Sequence, residues 1–262
     1  MKIITLLTDF GLKDGYVAQM KGVISSITDA RIIDITHDVT PHNIREAAFI
    51  LQNTSQYFPV GTVHLAVVDP GVGTDRKGLI ITTKSQILIG PDNGVLIPAA
   101  KRLGDITVYE IRNEEYMLKN VSNTFHGRDV FAPIAAHIVN GVSFEKIGEK
   151  TEKYVDLDFG EASITKKDIT GKIVYFDRFG NIITNIDGTK VKNILDYNKK
   201  LKIFINNKQK EAVFVKSYGF AKKGQLLVTI GSSNYLEISI NQDNAAKKLG
   251  VKPDDKIKIT IS

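Results

Sequence analysis

Two successive architectures are expected along this 262-residue chain: an α/β domain with a mainly parallel sheet, then a smaller antiparallel, β-barrel-like domain. In the first part, short continuous apolar runs alternate with stretches whose apolar residues recur at helical spacing, the pattern of βαβ units. Beyond Thr165, short β-like runs follow one another with turn residues between them and a single short helical pattern. Charge divides at the same place: 16 Lys+Arg stand against 20 Asp+Glu up to Ile164, a net of −4, and 19 against 9 after it, a net of +10. The expected domains are residues 1–150 and 169–262, joined by the polar linker 151–168.

Residues 3–7 are apolar without interruption, as in a strand buried on both faces. Over residues 14–27, Val17, Met20, Val23, Ile24 and Ile27 fall on one helical face, and the apolar run 31–35 completes a βαβ unit. A helix over residues 43–57 and a strand over 62–68 extend it. Runs 79–83 and 86–89 add strands, and residues 130–139 follow a helical pattern. In the second domain, strands are expected over residues 172–176, 181–186, 201–205, 212–215, 226–230, 236–240 and 256–261, with a short helix over 244–249.

The hydrophobic share of 42% is enough for a substantial core. No run approaches the roughly 18 apolar residues of a membrane span, and Asp9 interrupts the opening too early for a signal peptide, so a cytoplasmic protein is expected. Zero cysteines exclude disulfides, thiol catalysis and thiolate metal ligation. The lysines of the basic domain, as in Lys199-Lys200-Leu201-Lys202-Ile203-Phe204-Ile205, are spread along alternating strands. That is the mark of a solvated face more than of a nucleic-acid stripe, and the acidic domain of a neighbouring subunit is the other partner such a surface suits.

Chemistry concentrates in a few segments. In Val67-Val68-Asp69-Pro70-Gly71-Val72-Gly73-Thr74-Asp75-Arg76 an apolar run ends in a carboxylate, turns through glycines and presents an arginine. In Asn123-Thr124-Phe125-His126-Gly127-Arg128-Asp129 a histidine sits in a polar break before a helical pattern. Singly these are a turn acid, a loop charge and a helix-entry residue; together they point to an Asp69/Arg76/His126 site. Thr8-Asp9-Phe10-Gly11-Leu12-Lys13-Asp14-Gly15 places two carboxylates at the end of a strand, the edge where open α/β sheets bind ligands. Asp9 there suits two ribose hydroxyls, whereas Asp14 reads equally as a helix N-cap. Phe176-Asp177-Arg178-Phe179-Gly180-Asn181 and Gly231-Ser232-Ser233-Asn234-Tyr235-Leu236-Glu237 combine aromatic faces with amides and hydroxyls that suit a purine and a zwitterion, although the first also reads as a hairpin turn. No phosphate-binding loop follows a strand. His37 and His42, with Asp38 between them, lack a third ligand and read as a solvated loop instead of a metal site.

These segments jointly resemble the S-adenosylmethionine hydrolases, or SAM hydroxide adenosyltransferases, relatives of the nucleophilic fluorinases and chlorinases. The likeness runs through Thr8-Asp9-Phe10-Gly11, Asp69-Pro70-Gly71-Val72-Gly73 with Arg76, Pro91-Asp92-Asn93-Gly94, Phe125-His126-Gly127-Arg128-Asp129, Phe179-Gly180-Asn181 and Ser232 to Glu237, and so covers essentially the whole chain. It implies a homotrimer whose substrate lies between the N-terminal domain of one subunit and the C-terminal domain of the next. It also implies Asp9 on the ribose, Asn181 with Tyr218 or Phe179 on adenine, and Asp177, Ser232 and Asp14 on the methionine part. Phe10, Tyr235 and Glu237 lie inside the matching segments and complete the expected substrate-binding set. One departure concerns the methionine carboxylate: the halogenases carry an arginine after the serine of the last motif, and Ser233 and Asn234 follow here.

The halogenases also carry tyrosines where this chain matches Asp69 and His126. A carboxylate at the nucleophile's place repels a halide by several kcal/mol at low dielectric, so Asp69 argues for water. The implied reaction is hydrolysis of S-adenosyl-L-methionine (SAM) to adenosine and L-methionine, with no cofactor, no metal, and His126 favoured as proton acceptor. The alternative from another class is a non-catalytic adenosine or SAM binding protein.

Overall fold

The computed structural model describes residues 1–165 and 167–260, which divide into two units, Met1–Asp158 and Phe159–Ser262. In the first unit, β1 (Ile3–Thr8) is buried throughout, and α1 (Tyr16–Ile27) turns Val17, Met20 and Ile24 inward. Gly15 occupies the N-cap of α1 and no side chain caps it, so the capping alternative for Asp14 fails. After β2 (Arg31–Thr36), Asn43 does cap α2 (Ile44–Ser55), its side chain accepting from the Glu46 N–H at 3.1 Å. The unit continues through β3 (Val63–Val67), β4 (Gly78–Thr82), β5 (Ile87–Pro91), α3 (Ile97–Leu103), β6 (Thr107–Ile111), α4 (Ala132–Val139), α5 (Phe144–Ile147) and β7 (Gly148–Lys150).

The seven strands order β2-β1-β3-β5-β4-β6-β7. From β2 to β5 the pairs are parallel, as the βαβ pattern predicts, while β4, β6 and β7 pair antiparallel. The antiparallel half starts with the tight β4–β5 hairpin, closed by the Thr83 N–H on the Gln86 carbonyl at 3.0 Å. Alternate strand residues feed two core layers: Ile4 and Leu6 meet Met20, Ile24 and Ile134, whereas Leu7 and Ala66 meet Leu51 and Ala99. The chain leaves β1 for β2 on one side and returns to β3 on the other. A crevice therefore opens past the carboxyl ends of β1 and β3, where Thr8 and Val67 are in register.

The second unit holds β8 (Ser163–Ile164), β9 (Asp168–Phe176), β10 (Ile182–Asp187), α6 (Gly188–Lys192), β11 (Lys200–Ile205), β12 (Lys208–Phe214), β13 (Leu226–Ile230), β14 (Tyr235–Ile240), α7 (Ala245–Leu249) and β15 (Lys256–Thr260). The strand expected over residues 256–261 ends on Ile261, outside the described residues. Strands order β10-β14-β13-β12-β11-β15-β9-β8, and pairing of β9 with β10 closes seven of them into a barrel around Ile173, Leu201, Ile203, Phe214, Leu236, Ile238 and Ile259. One pair departs from the antiparallel expectation: β12 and β13 are parallel, Val213 opposite Leu227. The chain between them, through a 3₁₀ turn at Tyr218–Phe220, carries it back to the same end of the barrel. Among the described residues, no helix is long and apolar enough to cross a membrane.

Candidate active site

Asp69, Arg76 and His126 come together past the end of β3. Arg76 Nε lies 3.0 and 2.9 Å from the two Asp69 oxygens, and Arg76 Nη2 lies 2.6 Å from Oδ2, a bidentate pair with both side chains nearly covered. Arg76 Nη2 also reaches His126 Nδ1 at 2.8 Å, and its guanidinium sits 5.1 Å from the Phe131 ring centroid. The turn carrying Asp69 and Arg76 docks against the loop carrying His126 at Gly73. There φ is +76°, and a Cβ would stand 2.2 Å from the Asn123 carbonyl oxygen. His126 itself precedes a π-helical turn, Gly127–Phe131, that leads into α4. A cleft of about 580 Å³ lined by Arg76, Lys77, Glu110 and His126 opens beside the trio.

A guanidinium only donates, so Nδ1 of His126 accepts and the neutral ring carries its proton on Nε2. Burial, then the Arg76 charge, hold the His126 pKa below its ordinary value, against weaker opposing pulls from Asp69, Asp129 and Ser122. The ring is neutral near pH 7, and its one acceptor lone pair is already engaged. The Asp69 carboxylate, by contrast, has acceptor lone pairs beyond those that face Arg76.

Asp9 stands at the end of the adjacent strand, its side chain 9% exposed. The backbone N–H of His42 donates to its Oδ2 at 2.8 Å, leaving the other oxygen available to a ligand. His42 has φ +67° at the third position of a turn that starts at Thr40 and has Pro41 second, a place that normally asks for glycine. Sequence reasoning missed this clamp, although Pro41 was its signal. His37 also needs correction. Its side chain is 3% exposed, with Nδ1 2.8 Å from the Thr8 hydroxyl and Nε2 3.1 Å from Asp34, because apolar packing at Val39 draws the loop inward. Phe10 packs edge-on against Tyr16 and Phe125, tying the Asp9 loop to the His126 loop, whereas Asp14 is exposed beyond them.

In the second unit, Asp177, Phe179, Asn181 and Tyr218 line one cavity of about 590 Å³, together with Ile240 and residues 241–244. The Asp177 cluster is a hairpin turn and a pocket wall at once. Asp177 Oδ1 accepts from the backbone N–H groups of Phe179 (2.9 Å) and Asn181 (2.8 Å), and Oδ2 from the Asn181 amide (2.7 Å). Asn181 is thereby oriented, and its amide oxygen is left to accept. Phe179 and Tyr218 expose 76% and 41% of their surface, as aromatic platforms awaiting a flat ligand would. Glu237 does not line the cavity; it accepts from the Tyr218 and Ser239 hydroxyls, each at 2.7 Å, and so holds Tyr218 from behind. Burial, with a contribution from the Asp177 charge, raises the Glu237 pKa. Ser232 is exposed on the turn before β14 and Tyr235 opens that strand, neither lining the cavity. The run Asn241 to Asn244, polar and just past a strand, was the unread signal for the remaining wall.

Sequence profiles of the SAM hydroxide adenosyltransferase N-terminal and C-terminal domains match residues 4–148 and 171–258. The chain is 42% identical to an (R)-S-adenosyl-L-methionine hydrolase of Methanocaldococcus jannaschii, over 99% of this chain and 96% of that protein. It is 36% identical to a protein of the same name from Salinispora tropica (98% and 97% covered) and 26% identical to a fluorinase of Actinopolyspora mzabensis (99% and 97%). Among solved structures, an uncharacterized conserved protein from Thermotoga maritima superposes with a TM-score of 0.92 at 41% identity, covering 98% of this chain and 99% of that one. Two domain profiles in sequence and full-length relatives well above 30% identity agree: the chain belongs to the SAM hydroxide adenosyltransferase family.

Proposed function

We propose that this protein hydrolyses S-adenosyl-L-methionine to adenosine and L-methionine by attack of water on ribose C5′. The observation that carries this reading is the Arg76 bridge between Asp69 and His126, in a chain similar over its full length to hydrolases of that name. Those names specify an (R) form, and since "L" already describes the methionine α-carbon, the epimeric centre meant is the sulfonium. The same epimer is the proposed substrate here.

Water oxygen bonds to C5′, the C5′–S bond breaks, and its electron pair passes to sulfur, so methionine leaves as a neutral thioether without a general acid. The proton lost by water goes to the Asp69 carboxylate and then to solvent. His126 acts as the brace of Arg76, and this revises the sequence-based preference for His126 as proton acceptor. Asp9 takes the ribose hydroxyls, Asn181 and the Phe179 and Tyr218 rings take adenine, and Asp177 faces the cationic methionine part. The proposal includes the homotrimer, each substrate held by the first unit of one subunit and the second unit of the next. The net charges of −4 and +10 support that arrangement. A cytoplasmic setting and independence from metal or cofactor belong to the same reading.

The test is incubation of each sulfonium epimer in heavy-oxygen water. The label is expected in the adenosine 5′-hydroxyl and not in methionine, faster from the (R) epimer, unchanged by chelators, and with no 5′-halogenated product in excess chloride or fluoride. Asp69→Asn should lower kcat roughly a hundredfold, the scale of a catalytic acid–base group, while substrate still binds. Binding with no adenosine formed by the wild-type protein would leave the non-catalytic alternative.

A further inference from the structure

The segment that presents His126 also contains a buried acid that the reaction does not consume. Asp129 is fully buried. Its Oδ2 accepts from the Ser122 backbone N–H at 2.9 Å and the Ser122 hydroxyl at 2.7 Å, while Arg128 donates Nε to Oδ1 at 2.6 Å and Nη2 to Oδ2 at 3.1 Å. Arg128 is itself held, by Gln19 at 2.8 Å and over the Phe125 ring at 5.0 Å. The Ser122 hydroxyl also accepts from the Phe125 N–H at 3.1 Å, which closes the loop between residues 122 and 125. Four donors on one buried carboxylate make a rigid anchor, in which Arg128 compensates the charge and Ser122 adds two neutral hydrogen bonds.

From Ser122 the network reaches the residue just before the histidine: the Phe125 N–H is held by Ser122, and the Phe125 carbonyl accepts from the backbone N–H groups of Arg128 and Asp129, each at 3.1 Å. With Nδ1 accepting from Arg76, the imidazole N–H is the one on Nε2. The π-helical turn at Gly127–Phe131 is what allows both ends of the relay to work, since its extra residue lets His126 face Arg76 while Asp129 faces the core.

We propose that Asp129, acting through Ser122, is a positioning residue for the reaction: it holds the loop in the orientation in which His126 braces Arg76, the contact that in turn keeps the Nε2–H tautomer. The inference rests on the Asp69/Arg76/His126 reading above. The Asp129 carboxylate is buried and, among the described residues, bonded only to Ser122 and Arg128, so it is no part of the proposed substrate-binding set and its effect is expected in kcat and not in KM.

The experiment pairs steady-state kinetics with nitrogen NMR of selectively labelled histidine in Asp129→Asn and Ser122→Ala, with His126→Ala as the reference. Expected are a fall in kcat of about tenfold or more for Asp129→Asn and a few-fold for Ser122→Ala, KM within about twofold, and His126 nitrogen shifts moving from the pure Nε2–H tautomer toward an average. If Asp129→Asn does not fold, Ser122→Ala, which removes one hydroxyl, carries the same test. Unchanged His126 shifts in a folded variant, or a loss confined to KM, would overturn the proposal. Full activity of His126→Ala would instead remove the three-residue reading on which it stands.

Discussion

Arg76 Nη2 and His126 Nδ1, 2.8 Å apart, tolerate one protonation state only. A guanidinium and an imidazolium at that distance present donors to each other, so protonating His126 breaks the brace. Burial and the Arg76 charge already lower its pKa, and the neutral, competent ring therefore persists to a pH below the ordinary histidine value of 6.5. The competent form is full above that value and is lost as pH falls through the lowered pKa. For the proposed hydrolysis, kcat is expected to stay level from neutral pH down past 6.5 and to decline only below it. An acid limb centred above 6.5 in the pH–rate profile would contradict this. The same scale explains Asp9. Its carboxylate is aimed by one backbone N–H of a residue in left-handed conformation, a feature of the His42 backbone and not of its imidazole.

At the scale of elements, three parallel strands are stitched by a polar chain through their buried core. The Thr5 hydroxyl on β1 lies 2.7 Å from Nδ1 of His64 on β3, and His64 Nε2 lies 2.9 Å from Gln86 Oε1, just before β5. The Gln86 amide donates to the carbonyls of Ser55 (2.9 Å) and Phe58 (2.7 Å), which fixes its orientation and hence the proton on His64 Nε2. Burial of this neutral ring lowers its pKa to about 4. Because the unfolded chain protonates His64 near 6.5, stability attributable to it is complete above 6.5 and is lost as pH falls toward 4. The full loss amounts to about 3 kcal/mol. Urea unfolding at pH 7 and at pH 4.5 should show His64→Asn losing less stability over that interval than the wild-type protein; equal losses would refute the assignment.

At the scale of the whole molecule, the candidate site residues are divided between the two units. The first carries Asp69, Arg76, His126 and Asp9, and the second carries the cavity of Asp177, Asn181 and Tyr218. In the proposed trimer neither unit of one subunit completes a site with its own chain. Mixing an Asp9→Ala variant with an Asn181→Ala variant after dissociation and reassembly should then restore part of the activity that each lacks alone, since some interfaces combine two intact units. No recovery in a reassembled mixture would count against the shared site, as would full activity of a sedimenting monomer.

Local pattern determined a large part of this protein. Apolar runs and helical spacing depend on neighbours in sequence, so the βαβ opening, the change to short strands after Thr165, and the polar segments holding Asp69, His126 and Asp177 were legible in the chain. Short elements such as α3, β6 and β7 were not, because three to seven residues carry too little periodicity to separate from a loop. Only the tertiary structure decided partners. It joined Arg76 to a histidine 50 residues away and laid β12 parallel to β13. It buried His37, and it moved Glu237 behind Tyr218. Which lone pair or proton remains free at a site depends on these distant contacts. The sequence by itself therefore nominated the groups of the candidate site, and the fold decided that Arg76 engages His126 Nδ1.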